Sequence, residues 1–223
     1  GDEKMAQQYR AATMATKGMV TTPHYLASQA ALAILHKGGN AIEAAIAAAS
    51  TIAVVYPHMN SIGGDNFWLV YNAKTKEVKA LNSSGRAGHK ATIAFYKEQG
   101  YAKIPARGPL AANTVPGAVA GWGEAYDYAT AEMGGTLQWT ELLEHAIRYA
   151  KEGFPVTESQ EYWTNVNLDE TDQEFRALQR FEEFARIFLK DGKPYQEGDI
   201  LKQQDLGDTL AYIAENGAQA FYN

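Results

Sequence analysis

The sequence predicts an α+β or layered α/β chain, not a parallel βαβ alternation. Three observations carry that prediction. Two capped helices follow one another near the start, the second apolar on nearly every side. An aromatic run and the short segment 78–81 then mark a strand pair, and almost everything after residue 113 has helical spacing. With 46% apolar and 21% charged residues over 223 positions, the chain has ample material for a core and does not resemble a disordered segment.

Taken in order, residues 18–22 read as a short strand feeding a helix. Thr22 is placed to N-cap that helix, and Pro23 fits a first turn where a missing N–H costs nothing. Leu26, Ala30, Ala33 and Ile34 recur at helical spacing, and Gly38-Gly39 supplies a left-handed ending. Asn40 caps the second helix, with Glu43 three residues on in capping-box position. Residues 41–55 are Ala, Ile and Val on almost every face, so this helix belongs in the middle of the domain; Pro57 ends it. Residues 67–71 form a strand and 78–81 its hairpin partner. An amphipathic helix is expected near 92–99, followed by a Pro/Gly loop over 104–113. Further helices are expected near 116–128, 139–151, 159–167, 171–189 and 205–215. Thr171 and Glu174 read as a capping box for the 171–189 helix, and Gly217 as the stop of the last. No repeat or low-complexity linker divides the chain. It is assigned as an N-terminal extension, 1–17, and one domain portion, 18–223, whose last residues read as a cut in mid-domain.

Several function classes fall away at this stage. The chain has no cysteine, which excludes disulfides, thiolate nucleophiles and Cys-ligated zinc. A net charge of −6 with scattered basic residues counts against a nucleic-acid grip. The longest apolar run, 44–56, is broken by Ser50 and Thr51 and is shorter than the roughly 20 residues of a bilayer span, so no membrane role is expected. No basic segment precedes an apolar stretch at the start, which favours the cytoplasm. There is no nucleophile elbow, phosphate loop, dinucleotide fingerprint or His-Glu-x-x-His, and the five histidines stand singly, so neither metal nor cofactor is expected.

One segment is dense in chemistry. Residues 56–68 place a polar, glycine-bearing loop between the buried helix and the aromatic strand. Gly63-Gly64 lets backbone pass close to a ligand or another backbone, and Asp65 is placed to anchor the loop through its own backbone N–H groups.

Those residues resemble a known family. Gly38-Gly39-Asn40-Ala41, Pro57-His58-Met59, Gly63-Gly64-Asp65-x-Phe67, residues 114–121 (Thr-Val-Pro-Gly-Ala-Val-Ala-Gly), residues 150–156 and the terminal Ala214-Glu215-Asn216-Gly217 with Ala220-Phe221-Tyr222 resemble, in order, the γ-glutamyltranspeptidase family. The resemblance implies an αββα sandwich of the N-terminal-nucleophile hydrolase kind, with these residues forming the early part of a large subunit. It also implies a proenzyme that cleaves itself, a small-subunit partner, and an attacking threonine at that subunit's new N-terminus, so no catalytic residue is expected here. A dimer of such heterodimers is an assembly the resemblance allows. The 57–68 segment looks more like the acylase and amidohydrolase branch, which includes cephalosporin acylase-like enzymes and one that hydrolyses oxamate.

Within that frame, the transferring members hold the substrate's α-carboxylate with an arginine just after the second strand. Aligned on residues 87–92, Ser84 occupies that position and Arg86 lies two residues on. Arg86 is therefore the candidate for carboxylate binding, its planar fork matching the anion. His58 is a candidate wall of the acyl pocket, and Ser83 and Ser84 are candidate pocket contacts. Asn60 is a candidate to bond the pocket or hold the loop; Gly63, Gly64 and Asp65 are expected to shape it. One of Phe67 and Trp68 packs inward. Arg107 is a second cation without support, and Thr114 is expected to cap the helix at 116. The function expected is hydrolysis of a small carboxylate-bearing amide. The alternatives are a true γ-glutamyltransferase or glutathione hydrolase, and a non-cleaving homologue that binds rather than catalyses.

Overall fold

The computed structural model describes residues 12–223. Its centre is α2 (Ala41–Val55), packed against α1 (Tyr25–His36), α4 (Ala118–Glu132) and α5 (Trp139–Glu152), with α8 (Gln204–Asn216) on the far side of α5. Ile46, Val54, Trp122, Leu142, Leu143, Leu210 and Ile213 are fully buried between these helices. The small alanine faces of α2 let the neighbouring helices approach closely, as its composition predicts.

The expected capping box starts α2: Glu43 N donates to Asn40 Oδ1 at 2.9 Å and Asn40 N donates to Glu43 Oε2 at 2.8 Å. Glu43 is nonetheless fully buried, because its other oxygen accepts from Leu137 N at 2.9 Å. One carboxylate thus closes the helix start and holds the loop between α4 and α5, which its position in the sequence does not reveal.

A hairpin covers one side of α4. Strand β1 (Asn66–Asn72) pairs antiparallel with β2 (Glu77–Ser83), Asn66 opposite Ser83 and Asn72 opposite Glu77. Trp68 and Val70 turn inward onto the core while Phe67, Leu69 and Tyr71 turn out, at 67%, 79% and 59% exposure. After β2 come the short α3 (Ile93–Glu98), within the helical region expected at 92–99 and capped by Thr92, and a 3-10 turn at Pro109–Ala111. No described helix is long and apolar enough to cross a membrane.

Three expectations are corrected. Residues 18–22 form no strand, since no described segment offers them a ladder. Helix α1 is capped by His24 rather than Thr22: His24 Nδ1 accepts from Leu26 N at 3.1 Å, and Thr22 donates instead to His24 O at 2.6 Å. Residues 171–189 are not one helix. Asp169 Oδ1 takes Thr171 N at 2.9 Å and Thr171 Oγ1 at 2.6 Å, Asp172 Oδ1 takes Phe175 N at 3.1 Å, and the predicted Thr171–Glu174 box does not form. Short polar side chains that bond nearby backbone hold it in turns. Helix resumes only as a 3-10 turn at Leu178–Arg180 and as α7 (Glu182–Phe188).

Four short strands were not anticipated. β3 (Phe154–Pro155) precedes α6 (Glu158–Val166) and pairs with β6 (Ile200–Leu201). β4 (Leu189–Lys190) pairs with β5 (Lys193–Pro194). Asp191 and Gly192, at φ 53° and 76°, make the turn between them, the two-residue hairpin that Asp-Gly favours.

Candidate active site

Three chain segments converge where β1 begins, where β2 ends and where α4 starts. Gly64 O accepts from both Gly117 N and Ala118 N at 3.0 Å, fixing the glycine loop to the head of α4. Asp65 Oδ1 accepts from Gly85 N at 3.1 Å. Ser83 Oγ donates to Gly117 O at 2.7 Å, and Val115 N donates to Arg86 O at 2.8 Å. An isolated antiparallel bridge between Ala87 and Thr114 extends this seam.

The glycines that this seam requires are Gly85 and Gly117. A Cβ on Gly85 would stand 1.5 Å from Val115 O, and one on Gly117 would stand 1.9 Å from Ser83 O, distances that backbone atoms cannot relieve by rotating a side chain. Gly63 and Gly64 are different. Neither has positive φ, and a Cβ on either meets nothing nearer than 3.6 Å, a Ser61 oxygen. Gly64 does lie against another backbone, through its carbonyl at the head of α4, but the positions where a side chain is sterically forbidden are Gly85 and Gly117. Ser84-Gly85 and Pro116-Gly117 mark turns in the sequence, but a turn dipeptide does not say which distant backbone it will lie against.

The result is an arginine on a fixed backbone. Arg86 is exposed, and its side chain makes no ion pair among the described residues, while its carbonyl and the preceding peptide are both held. A planar guanidinium so mounted can take a carboxylate through two parallel hydrogen bonds.

The remaining candidates divide. Ser83 belongs to the seam, but its hydroxyl is committed to Gly117 O. Ser84 is exposed beside it, its N–H donating to Asn82 Oδ1 at 3.0 Å. Asp65 holds the loop, though through Gly85 N just after β2 and not through its own backbone. Asn60 is exposed and contributes its N–H to Tyr56 O at 3.0 Å. His58 faces elsewhere: Nε2 hydrogen-bonds with Ser159 Oγ on α6 at 3.1 Å and its ring stands on Tyr56 at 4.2 Å. Burial, and secondarily the nearby His24, hold His58 below the usual histidine range. Arg107 donates to its neighbour Ala106 O at 3.1 Å and shares no contact with the seam. Thr114 caps nothing; α4 begins at Ala118 because residues 113–115 are drawn into the bridge with Ala87. Asn66, which the sequence did not single out, has a buried Oδ1 without a partner beside Gly121. Among the described residues no three His, Asp or Glu side chains come together as a metal site.

A model of the gamma-glutamyltranspeptidase family matches residues 27–223. The chain belongs to that family. It is 44% identical to an oxamate amidohydrolase proenzyme of Klebsiella pneumoniae over 209 residues, 94% of this chain. It is also 44% identical to a glutathione hydrolase-like proenzyme of Bacillus subtilis over 207 residues, 93% of this chain. These matches span 38% and 37% of the relatives' own lengths. The fold matches Helicobacter pylori gamma-glutamyltranspeptidase with a TM-score of 0.80 at 32% identity, over 96% of this chain and 58% of that one. It matches a cephalosporin acylase of Bacillus halodurans with 0.76 at 37% identity, over 88% and 35%. The helix-rich α+β arrangement described above is thus the arrangement of solved family members, and both the transpeptidase and the acylase sides are represented among its relatives.

Proposed function

We propose that the protein is an amide hydrolase of the acylase and amidohydrolase branch, acting on a small amide that also carries a carboxylate. Residues 18–223 supply part of its large subunit. The observation that carries this reading is the Arg86 guanidinium, exposed and unpaired among the described residues, on a turn fixed by Asp65 and Val115. The oxamate amidohydrolase among the relatives supports it, since oxamate is an amide with a carboxylate on the adjacent carbon.

In this mechanism the nucleophile is an N-terminal threonine freed by self-cleavage downstream of these residues. Its α-amine takes the hydroxyl proton as Oγ attacks the amide carbonyl, and preorganised donors hold the oxyanion. The tetrahedral intermediate collapses with the proton passing to the departing nitrogen, leaving an acyl ester. Water adds to the ester, the amine again taking the proton, and returns the free threonine with a second carboxylate. Arg86 fixes the substrate so that its amide carbon faces the nucleophile, a role expressed in KM and in orientation.

The outward face of the hairpin supports the small-subunit partner. Phe67, Leu69, Tyr71 and Val78 stand 59% exposed or more on one sheet face, an apolar surface suited to a second layer. The reading is tested on the full-length gene product with oxamate and short dicarboxylic acid monoamides against glutathione. Turnover of the short amides supports it. Turnover of glutathione with the short amides untouched moves the protein to the γ-glutamyl alternative, which the glutathione hydrolase-like relative keeps in view.

A further inference from the structure

A second pocket lies away from the Arg86 seam, between the end of α2, α6 and the segment from Leu178 through α7. Its volume is about 230 Å³. Trp163, Phe184 and Phe188 give it aromatic walls, and His58 and Gln160 supply its polar side. None of its lining residues is charged in its ordinary state at neutral pH.

Two polar atoms here are buried without a partner, Gln160 Oε1 and His58 Nδ1. Gln160 is 3% exposed, and its backbone is fully engaged: its N–H donates to Thr157 Oγ1 at 3.2 Å and its carbonyl accepts from Thr164 Oγ1 at 2.7 Å. The side-chain amide is therefore not needed to cap or staple α6. Buried polar atoms are ordinarily bonded, and two orphans lining one cavity point to a ligand that bonds both. In the tautomer that carries its proton on Nε2, His58 donates to Ser159 Oγ and presents Nδ1 as an acceptor, the same role as Gln160 Oε1. Two acceptors framed by aromatic faces suit a cation rich in donors.

We propose that this pocket binds a small primary alkylammonium ion, its NH3 group donating to Gln160 Oε1 and His58 Nδ1 and its chain lying against Trp163, Phe184 and Phe188. The site is separate from the acyl-transfer reading and does not depend on it.

The test titrates n-butylammonium chloride into the natively expressed full-length protein at pH 8, by calorimetry and saturation-transfer NMR, with n-pentanol and butyrate as neutral and anionic probes of similar size. Saturable butylammonium binding, at least tenfold tighter than either probe, is expected. Gln160→Leu weakens it at least tenfold, and Gln160→Glu tightens it roughly tenfold by turning an amide acceptor into a carboxylate. Trp163 lies at the pocket rim, 38% exposed, so Trp163→Leu is tolerated by the fold and reports the aromatic contribution even where Gln160 variants misfold; it weakens binding several-fold. No saturable binding, equal binding of pentanol or butyrate, or butylammonium affinity unchanged in Trp163→Leu overturns the proposal.

Discussion

Gly85→Ala is the sharpest perturbation of the seam. The new methyl would stand 1.5 Å from Val115 O, 2.7 Å from Val115 C and 3.3 Å from Val115 N, all backbone. An ordinary contact needs about 3.4 Å or more, so the two chain segments must part by roughly 2 Å. That separation stretches the 2.8 Å bond from Val115 N to Arg86 O and the 3.1 Å bond from Gly85 N to Asp65 Oδ1 beyond use. Overpacking costs about 1–3 kcal/mol and each lost hydrogen bond about 1 kcal/mol, giving about 3–5 kcal/mol in total. For a protein of this size that lowers the melting temperature by roughly 10 °C. Thermal unfolding of the full-length protein measures the first effect, and steady-state kinetics the second. KM for a carboxylate-bearing amide should rise more than tenfold, because Arg86 moves with Gly85. The companion Gly63→Ala meets nothing nearer than 3.6 Å at ordinary φ and should leave the melting temperature within about 2 °C. A Gly85→Ala protein that melts with the wild type and keeps its KM would refute the reasoning that this seam is rigid and sets the arginine.

Arg86→Ala should raise KM for the short amides by roughly a hundredfold, the loss of a bidentate charged pair, while chain cleavage proceeds normally; a saturation curve matching wild type removes Arg86 from the site. Glu43→Leu leaves the half-buried N–H groups of Asn40 and Leu137 without their acceptor, at about 1–3 kcal/mol each, and chemical denaturation should show a loss of about 3 kcal/mol. His24, His58 and His145 are all held below the usual histidine range, chiefly by burial. The unfolded chain therefore binds more protons below about pH 6.5, and stability present above that pH is lost as pH falls through the depressed folded values. His24→Asn keeps an N-cap acceptor but does not titrate, so the difference in urea midpoint between pH 7.5 and 5.5 should shrink in that variant.

Most of the helical frame was legible because its signals are local. The Asn40–Glu43 box, the all-apolar run through α2 and the inward Trp68 each follow from residues within one or two turns of each other. Failures arose where distance or competition decided. Thr171–Glu174 has the pattern of a capping box, yet Asp169 two residues earlier captures the threonine, an outcome set by which short side chain reaches the backbone first. Residues 18–22 have strand composition, but a strand requires a partner and composition does not supply one. For the site, Arg86 and Asp65 could be named from the sequence, whereas their connection through Gly85 joins positions 20 residues apart. The crowding of Gly85 by Val115 spans a further loop, and Glu43's bond to Leu137 spans 94 residues. His58 sits in a suggestive loop, but its contact with Ser159 on α6 is set by packing across about a hundred residues that the loop sequence does not contain.

The proposed chemistry rests on a nucleophile made by cleavage, which intact-mass analysis of the natively expressed full-length gene product tests directly, with N-terminal sequencing of every species present. Two co-purifying chains, the smaller beginning with threonine, are the predicted result. A single uncleaved chain in the active or ligand-binding preparation would contradict it and move the protein to the class of family members that bind without cutting.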